Sequence, residues 1–395
     1  MQRNINLSLG IAGLCLLPLA ACSYTETGQE NDAQASVAAA QTDAMASNDD
    51  PNAQFPPEDK PRPLMQAQVV LDRLGFTPGV IDGKMGLSTR NAVKGFQEAR
   101  GLEITGEFDQ PTVQALAEWR RIPATRVVTI DEAFANDQFV TIPEDRKEQA
   151  KLPRMGYSSL AEKIAERFHT TDEVLAELNP QLAGGTPSTA DEPAAGNPST
   201  ADEPAAGNEA MSKPASTYRA GMKLRVPNIG ADKFDPAAVK DPKWAETLRM
   251  LGVGTDQPKA ASIEVDKSDQ VLRVLDSQGK LLAQYTATMG SSQFPLPLGT
   301  WKILSVGHNP PWQYDPALLA NADKSDPKLE IPPGPNSPIG VVWIDLSKEH
   351  YGIHGTDHPD RIGRAESNGC IRLTNWDAAR LAEMVGNGIQ AVFKA

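Results

Sequence analysis

The sequence predicts a multidomain chain: a small three-helix bundle, a small α+β region, and a mainly-β domain built as a β-sandwich with a helix. Three observations carry this. Apolar residues between 62 and 120 recur at helical spacing. From Ser262 the spacing changes to every second residue, the period of a half-buried strand. Between these stretches lie tracts rich in Pro, Ala and Gly that have too little apolar content to pack. A length of 395 residues suits two to four domains. The 31 Gly and 32 Pro are clustered, which marks linkers between folded parts. A formal net charge of −13 argues against a general nucleic-acid binder, which needs Lys and Arg in excess to neutralise phosphates.

The N-terminus reads as an address. Arg3 supplies a positive start, and Leu7 to Ala21 is an apolar stretch, short for a bilayer-spanning helix, which needs about 20 residues. It ends in Leu19-Ala20-Ala21-Cys22, which resembles a bacterial lipobox. The resemblance implies that 1–21 is a signal peptide and that Cys22 is acylated, anchoring the chain to a membrane without a transmembrane helix. A plain cleavable signal with an incidental Cys is the alternative. Ser23 rather than Asp after the Cys implies the outer membrane under enteric-type sorting. Residues 22–61 follow as an acidic tether: positions 23–60 carry eight acidic residues and one basic one, Lys60, without an apolar period.

In 62–121, Val70, Leu71 and Leu74 form one helical stripe, and Ala92, Phe96 and Ala99 a second. Pro78-Gly79 and Asp82-Gly83 turn the chain between them. Gly101 ends the second helix, and Asp109 before Pro111 starts a third, reaching about Trp119. With Asp82-Gly83, Thr89, Ala92-Val93, Phe96-Gln97, Gly101-Leu102, Gly106 and Thr112, this run resembles the three-helix peptidoglycan-binding domain. A generic bundle without a ligand is the alternative.

Residues 155–228 contain a helix from Ser159 to Phe168 and a second from Thr171 to Leu178, capped by Thr170 or Thr171. A short strand follows at Gly221–Pro227. Leu175, Leu178, Asn179-Pro180, Gly221, Leu224, Val226 and Pro227 resemble a LysM domain, another binder of glycan strands. A first strand is not recognisable before Ser159. An 11-residue unit, PSTADEPAAGN, occurs twice without change across 187–208 and reads as a flexible insert. The linker 229–260 contains one helix, Pro242 to Leu251, with Trp244 and Leu248 on one face.

Within 261–394, SIEVDK, QVLRVLDS and KLLAQYTATMG alternate apolar and polar residues, with a hairpin turn at Asp276 to Gly279. Further strands fall at Gly299–Val306, Ile339–Asp345, Tyr351–His354 and Gly388–Phe393, with a helix near Trp376 to Val385. The Pro- and Gly-rich segment 307–338 is the candidate active-site lid. Trp301, Trp312 and Trp343 read as core or cleft lining.

Two short pieces carry chemistry. One is Gly352-Ile353-His354-Gly355-Thr356; the other is Ser367-Asn368-Gly369-Cys370-Ile371-Arg372-Leu373. Cys370 is the single Cys outside the N-terminal segment, so no disulfide is available to it within the body of the chain. A free thiol is only a few per cent thiolate at neutral pH, and a nearby imidazole can take its proton and later return it to a leaving amine. Gly369 allows close approach of the backbone, with the N–H groups of 369 and 370 available to a developing oxyanion. His350, His354 and His358 are four apart, like metal ligands on a helix, but Gly352 and Gly355 oppose a helix there. A papain-like order would place the Cys before the His; here the His comes first.

These pieces resemble the signature of the L,D-transpeptidase (YkuD-type) catalytic domain, as do Asp266-Lys267 and Pro297-Leu298-Gly299-Thr300. The resemblance implies Cys370 as nucleophile and His354 as general base. It implies that the Gly355 carbonyl orients His354, so that the side chain at 355 should not matter. Arg372 is implied to hold the donor stem peptide, with Ser367, Asn368 and Gly369 lining the substrate site. Asn368 stands where many members have His. The resemblance implies no cofactor and no metal, with peptidoglycan stem peptides and glycan strands as partners in the periplasm. It leaves open whether the acyl-enzyme passes to a diaminopimelate amine, to water or to an envelope protein, and a non-catalytic wall tether is the reading from another class.

Overall fold

A computed structural model describes residues 60–182, 218–230, 233–319, 322–365 and 367–395. Helices α1 (Pro63–Arg73), α2 (Leu87–Ala99) and α3 (Gln110–Leu116) form the N-terminal bundle, with a two-residue strand β1 (Phe76–Thr77) after α1. Pro63 begins α1, where a missing N–H costs nothing, and the Asp109 carboxylate caps α3 by accepting from Thr112 N–H at 2.9 Å. A 3₁₀ turn, Ala117–Trp119, extends α3 to the end that the sequence indicates.

The middle region contains β2 (Thr125–Thr129), α4 (Glu132–Ala135), α5 (Arg146–Gln149), α6 (Leu160–Arg167), α7 (Asp172–Leu178) and β3 (Lys223–Pro227). Strands β2 and β3 pair antiparallel, from Thr125 opposite Pro227 to Thr129 opposite Lys223. The missing first strand therefore exists, but it lies before residue 155, in a segment the sequence reading left unassigned. Its partner is about a hundred positions away, beyond the reach of any local period. Thr171, not Thr170, caps α7. The Asn179 side chain then bridges α7 to β3, donating to Arg225 O and accepting from Arg225 N–H. The repeat at 187–208 lies outside the described residues.

Helix α8 (Pro242–Leu251) stops at Gly252, whose left-handed φ of 67° ends the helix. The remaining elements are β4 (Ser262–Asp266), β5 (Val271–Leu275), β6 (Leu281–Thr286), β7 (Thr288–Met289), β8 (Gly299–His308), β9 (Trp312–Tyr314), β10 (Leu329–Ile331), β11 (Val342–Leu346), β12 (Gly352–His354), β13 (Ile371–Arg372), α9 (Asn375–Met384) and β14 (Gln390–Lys394). One mixed sheet runs in the order β1-β6-β5-β4-β14-β8-β11-β12-β13-β7. Only Ala287 separates β6 from β7, yet they lie toward opposite ends of this order, so the sheet folds back on itself. Its two halves share a core that contains Ile263, Val265 and Leu272 from one half and Ile344, Ile353 and Ile371 from the other. Trp244 of α8 and Trp376 of α9 fill the same core. The fold is multidomain, with a mainly-β third part, as the sequence predicts.

The parts are not beads on a string. Leu71, Phe76, Val93 and Phe96 of the helical bundle pack with Leu275 and Leu281 of the sheet, and β1 adds to the sheet edge parallel to β6. Met65 and Val69 of α1 enter the core of the middle region with Ile164, Phe168 and Leu224. The lid candidate 307–338 carries the hairpin β9–β10 and is tied to the middle region: Met155 N–H donates to Pro333 O at 2.9 Å, and Asn336 N–H to Met155 O at 3.0 Å. Among the described residues no helix is long and apolar enough to cross a membrane.

Candidate active site

Strand pairing builds the site. β12 lies between β11 and β13, with Trp343 opposite His354 on one side and Arg372 opposite His354 on the other. Side chains alternate between faces along a strand. Ile344, Ile353 and Ile371 therefore share the core face, and each is fully buried. Trp343, His354 and Arg372 share the other face. Cys370 lies in the bend just before β13, two residues ahead of Arg372. The Trp343 ring stacks on His354, with ring centroids 5.4 Å apart and planes at 17°.

His354 Nδ1 lies 2.7 Å from Gly355 O. A carbonyl only accepts, so Nδ1 carries the proton and Nε2 keeps its lone pair. Burial pushes the imidazole's pKa down to about 3, and the Arg372 cation pushes in the same direction against the Gly355 hydrogen bond. His354 is therefore neutral at ordinary pH and able to accept a proton at Nε2.

The Cys370 thiol is partly buried. Burial pushes its pKa up, partly offset by the Gly352 N–H and by Arg372. The thiol donates a weak hydrogen bond to His350 O at 3.8 Å, and none of the hydrogen bonds among the described residues joins it to His354. At rest the thiol and the imidazole are both neutral, so deprotonation falls to the moment of attack.

Ser367 shapes the turn that delivers the thiol. Its hydroxyl accepts from Gly290 N–H at 2.6 Å and donates to Cys370 O at 2.6 Å, while its own N–H donates to Gly290 O. Gly369 has φ +97°, and an added Cβ would sit 2.5 Å from the Tyr351 ring. The glycine is thus required by the packing of Tyr351 as well as by the turn.

A model of the L,D-transpeptidase catalytic domain matches residues 260–393, and a family described as "Putative peptidoglycan binding domain" matches 63–116. A relative in Fuscovulum blasticum, "Putative L,D-transpeptidase in ATP synthase subunits region ORF 5", is 30% identical over 187 residues, which cover 44% of this chain and 96% of that one. The chain belongs to the L,D-transpeptidase family. "Putative L,D-transpeptidase YkuD" of Bacillus licheniformis is 55% identical over 56 residues, 14% of this chain and 34% of its own length. The chain thus spans about a third of that relative. A solved L,D-transpeptidase from Mycobacterium smegmatis is 23% identical, with 34% of this chain and 58% of that chain covered and a TM-score of 0.28.

The residues named from the sequence fall here as follows: His354 ends β12 and Gly355 follows it, Ser367, Gly369 and Cys370 lie in the turn before β13, and Arg372 is in β13, with Asn368 half-buried in that turn. Cys22 lies outside the described residues. His350 and His358 are exposed, and among the described residues no group of three His, Cys, Asp or Glu is placed to hold a metal ion. One expectation needs correction. The position-355 side chain matters: a Cβ there would lie 2.1 Å from Asn375 Oδ1. Sequence reading missed Asn375, although its place directly after the helix cap Thr374 was visible. A groove of about 1510 Å³ also opens between the middle region and residues 335–336 and 357–360, and it includes neither Cys370 nor His354.

Proposed function

We propose that the protein is a peptidoglycan L,D-transpeptidase that works through a cysteinyl thioester on Cys370. The observation that carries this reading is the parallel β12–β13 pairing, which sets Arg372, two residues after Cys370, opposite His354, while His354 Nδ1 is held by Gly355 O. Cys370 Sγ attacks the carbonyl of the third residue of a tetrapeptide stem, and His354 Nε2 takes the thiol proton. The tetrahedral intermediate collapses, the bond to the terminal D-Ala nitrogen breaks, and His354 returns the proton to the leaving amine. An acceptor amine from a second stem then attacks the thioester, releasing the thiol and leaving a 3→3 crosslink. Arg372 sits beside the thiol to hold the donor stem. Ser367, Asn368 and Gly369 line the site.

The helical bundle has a physical role in this reading. A wall-binding module raises the effective concentration of stems near the thiol without a new contact at the site. The middle region, with its helices between two paired strands, is assigned a similar role toward glycan strands. Cys22 is assigned as the acylated anchor, placing the enzyme in the periplasm on the outer membrane; Cys22→Ser should move the protein from the membrane to the soluble fraction.

The test is mass spectrometry of soluble residues 23–395 incubated with purified disaccharide-tetrapeptide. A 3→3 dimer that is absent with Cys370→Ala is the expected result. Tripeptide alone would assign the acyl-enzyme to hydrolysis or to a missing protein acceptor. No reaction from a folded sample would leave a binding tether.

A further inference from the structure

Asn375 opens α9 and is fully buried. Its Oδ1 accepts from Val341 N–H at 3.3 Å and from Thr356 N–H at 3.2 Å. Its Nδ2 donates to Glu166 Oε1 at 2.8 Å and to Pro335 O at 3.1 Å. Two main-chain donors face one end of the amide and two acceptors the other, so its orientation is fixed and its hydrogen-bonding capacity filled. Two glycines make room for it: an added Cβ would lie 1.9 Å from Oδ1 at position 340 and 2.1 Å from it at position 355.

The Thr356 N–H and the Gly355 C=O belong to a single peptide unit. That unit is rigid and planar, with its N–H and C=O pointing in opposite directions. Asn375 grips the N–H end. His354 Nδ1 grips the carbonyl end at 2.7 Å. Turning this plane would take the acceptor away from Nδ1. The plane is held from outside the catalytic sheet, because Glu166 stands on α6 in the middle region, 209 positions from Asn375 in sequence. Glu166 is itself buried and hydrogen-bonded to Tyr157.

We propose that Asn375 and Glu166 are positioning residues that set the orientation and tautomer of His354 through the 355–356 peptide plane. The middle region then does more than bind: it completes the support of the base. This rests on the L,D-transpeptidase reading for its consequence in turnover, but the tautomer of His354 can be read without turnover.

The test uses the soluble protein, residues 23–395, with ¹⁵N-labelled histidine, the His354 signal being assigned by its loss in His354→Gln. At pH 8, where Glu166 is ionised, Asn375→Asp keeps the Oδ1 acceptor but turns a second carboxyl oxygen toward the Glu166 carboxylate and Pro335 O. It should lose the pure Nδ1–H signature and lower thioester formation on Cys370 at least tenfold, with KM for tetrapeptide little changed. Adding Glu166→Gln returns a donor to face that oxygen, and the double variant should recover to within about threefold of the parent in rate and regain the Nδ1–H signature. Glu166→Ala, which removes one acceptor without adding charge, should give an intermediate loss and covers the case in which Asn375→Asp does not fold. A folded Asn375→Asp or Glu166→Ala with an unchanged His354 signal would overturn the proposal, as would a double variant no better than Asn375→Asp alone. If the parent forms no thioester at all, the transpeptidase reading fails, while the histidine signal still decides the positioning role.

Discussion

Asp72 of α1 and Arg380 of α9 form a two-point ion pair in the interior, with Nη1–Oδ1 at 3.1 Å and Nη2–Oδ2 at 3.2 Å. The two residues are 308 positions apart, and both side chains are buried. His169 of the middle region completes the node, with Nδ1 at 3.2 Å from Asp72 and Nε2 at 3.0 Å from Leu251 O, while its ring stacks on Trp376. Each of the three parts thus contributes a charged or polar group to one buried point. Burial alone would raise the Asp72 carboxyl, but Arg380 and His169 more than offset it and hold the carboxyl well below the usual range.

Asp72→Asn removes one partner and leaves the Arg380 cation buried. Breaking a buried pair in this way costs about 3–5 kcal/mol. Asp377 moderates the loss, because it is pushed up by burial and by the Asp72 charge, against Arg380. With Asp72 neutral, Asp377 is free to ionise beside Arg380. Urea unfolding should therefore show Asp72→Asn less stable than the parent, and Asp72→Asn with Asp377→Asn less stable still. Equal stability of the single and double variants would exclude this exchange of charge.

The resting thiol gives a second prediction. Cys370 is raised above its ordinary value and His354 is neutral down to about pH 3, so there is no preformed thiolate–imidazolium pair. Alkylation of Cys370 by iodoacetamide should be slow at pH 7 and rise about tenfold per pH unit into the alkaline range, with no plateau between pH 5 and 8. Arg372 favours the thiolate, so Arg372→Gln should move the profile to higher pH. A fast, pH-independent rate near neutrality would show a thiolate already in place.

Gly355 supplies a third. Family resemblance alone makes its side chain irrelevant, since the carbonyl does the work. The close contact with Asn375 Oδ1 says otherwise. Gly355→Ala forces either Asn375 or the 355–356 plane to move, and overpacking of this kind costs about 1–3 kcal/mol. Thermal unfolding should show the loss, and thioester formation should fall further than a stability loss of that size explains. A crystal structure of Gly355→Ala with both Asn375 and the 355–356 plane unmoved would refute the argument.

The sequence carried Cys370 and His354 because each sits in a short contiguous motif, His354 at the end of β12 and Cys370 in the turn just before β13. It carried the bundle for the same reason, through Val70, Leu71 and Phe96. It did not carry β2, whose five residues make sense only against Lys223–Pro227. Nor did it carry Asn375 with Glu166, or Asp72 with Arg380. Such pairs join polar residues across 209 and 308 positions, and a hydrophobic period reports burial of a face, not the identity of a distant partner. The division into separate wall-binding and catalytic parts also hid their docking, in which Phe76 pairs with Gln284 at the sheet edge.

The buried Glu166 carboxyl makes stability depend on pH with a definite sign. Burial raises its pKa from 4.5 to about 7, partly offset by hydrogen bonds from Tyr157 and Asn375, with Glu162 adding repulsion. The folded protein therefore binds a proton that the unfolded chain releases between these values. The stabilisation is fully present below about pH 4.5, falls as pH rises, and is gone above the folded value near 7. The slope is at most about 1.4 kcal/mol per pH unit for one group. Asp377 is also raised and acts with the same sign, whereas Asp72 is lowered and acts with the opposite sign only below its ordinary value of 3.8. The melting temperature should thus fall from pH 5 to pH 7, and Glu166→Gln should flatten part of that fall because its amide does not titrate. A melting temperature that rises over this interval in the parent, or a slope unchanged by Glu166→Gln, would mean that Glu166 is already ionised in the folded protein.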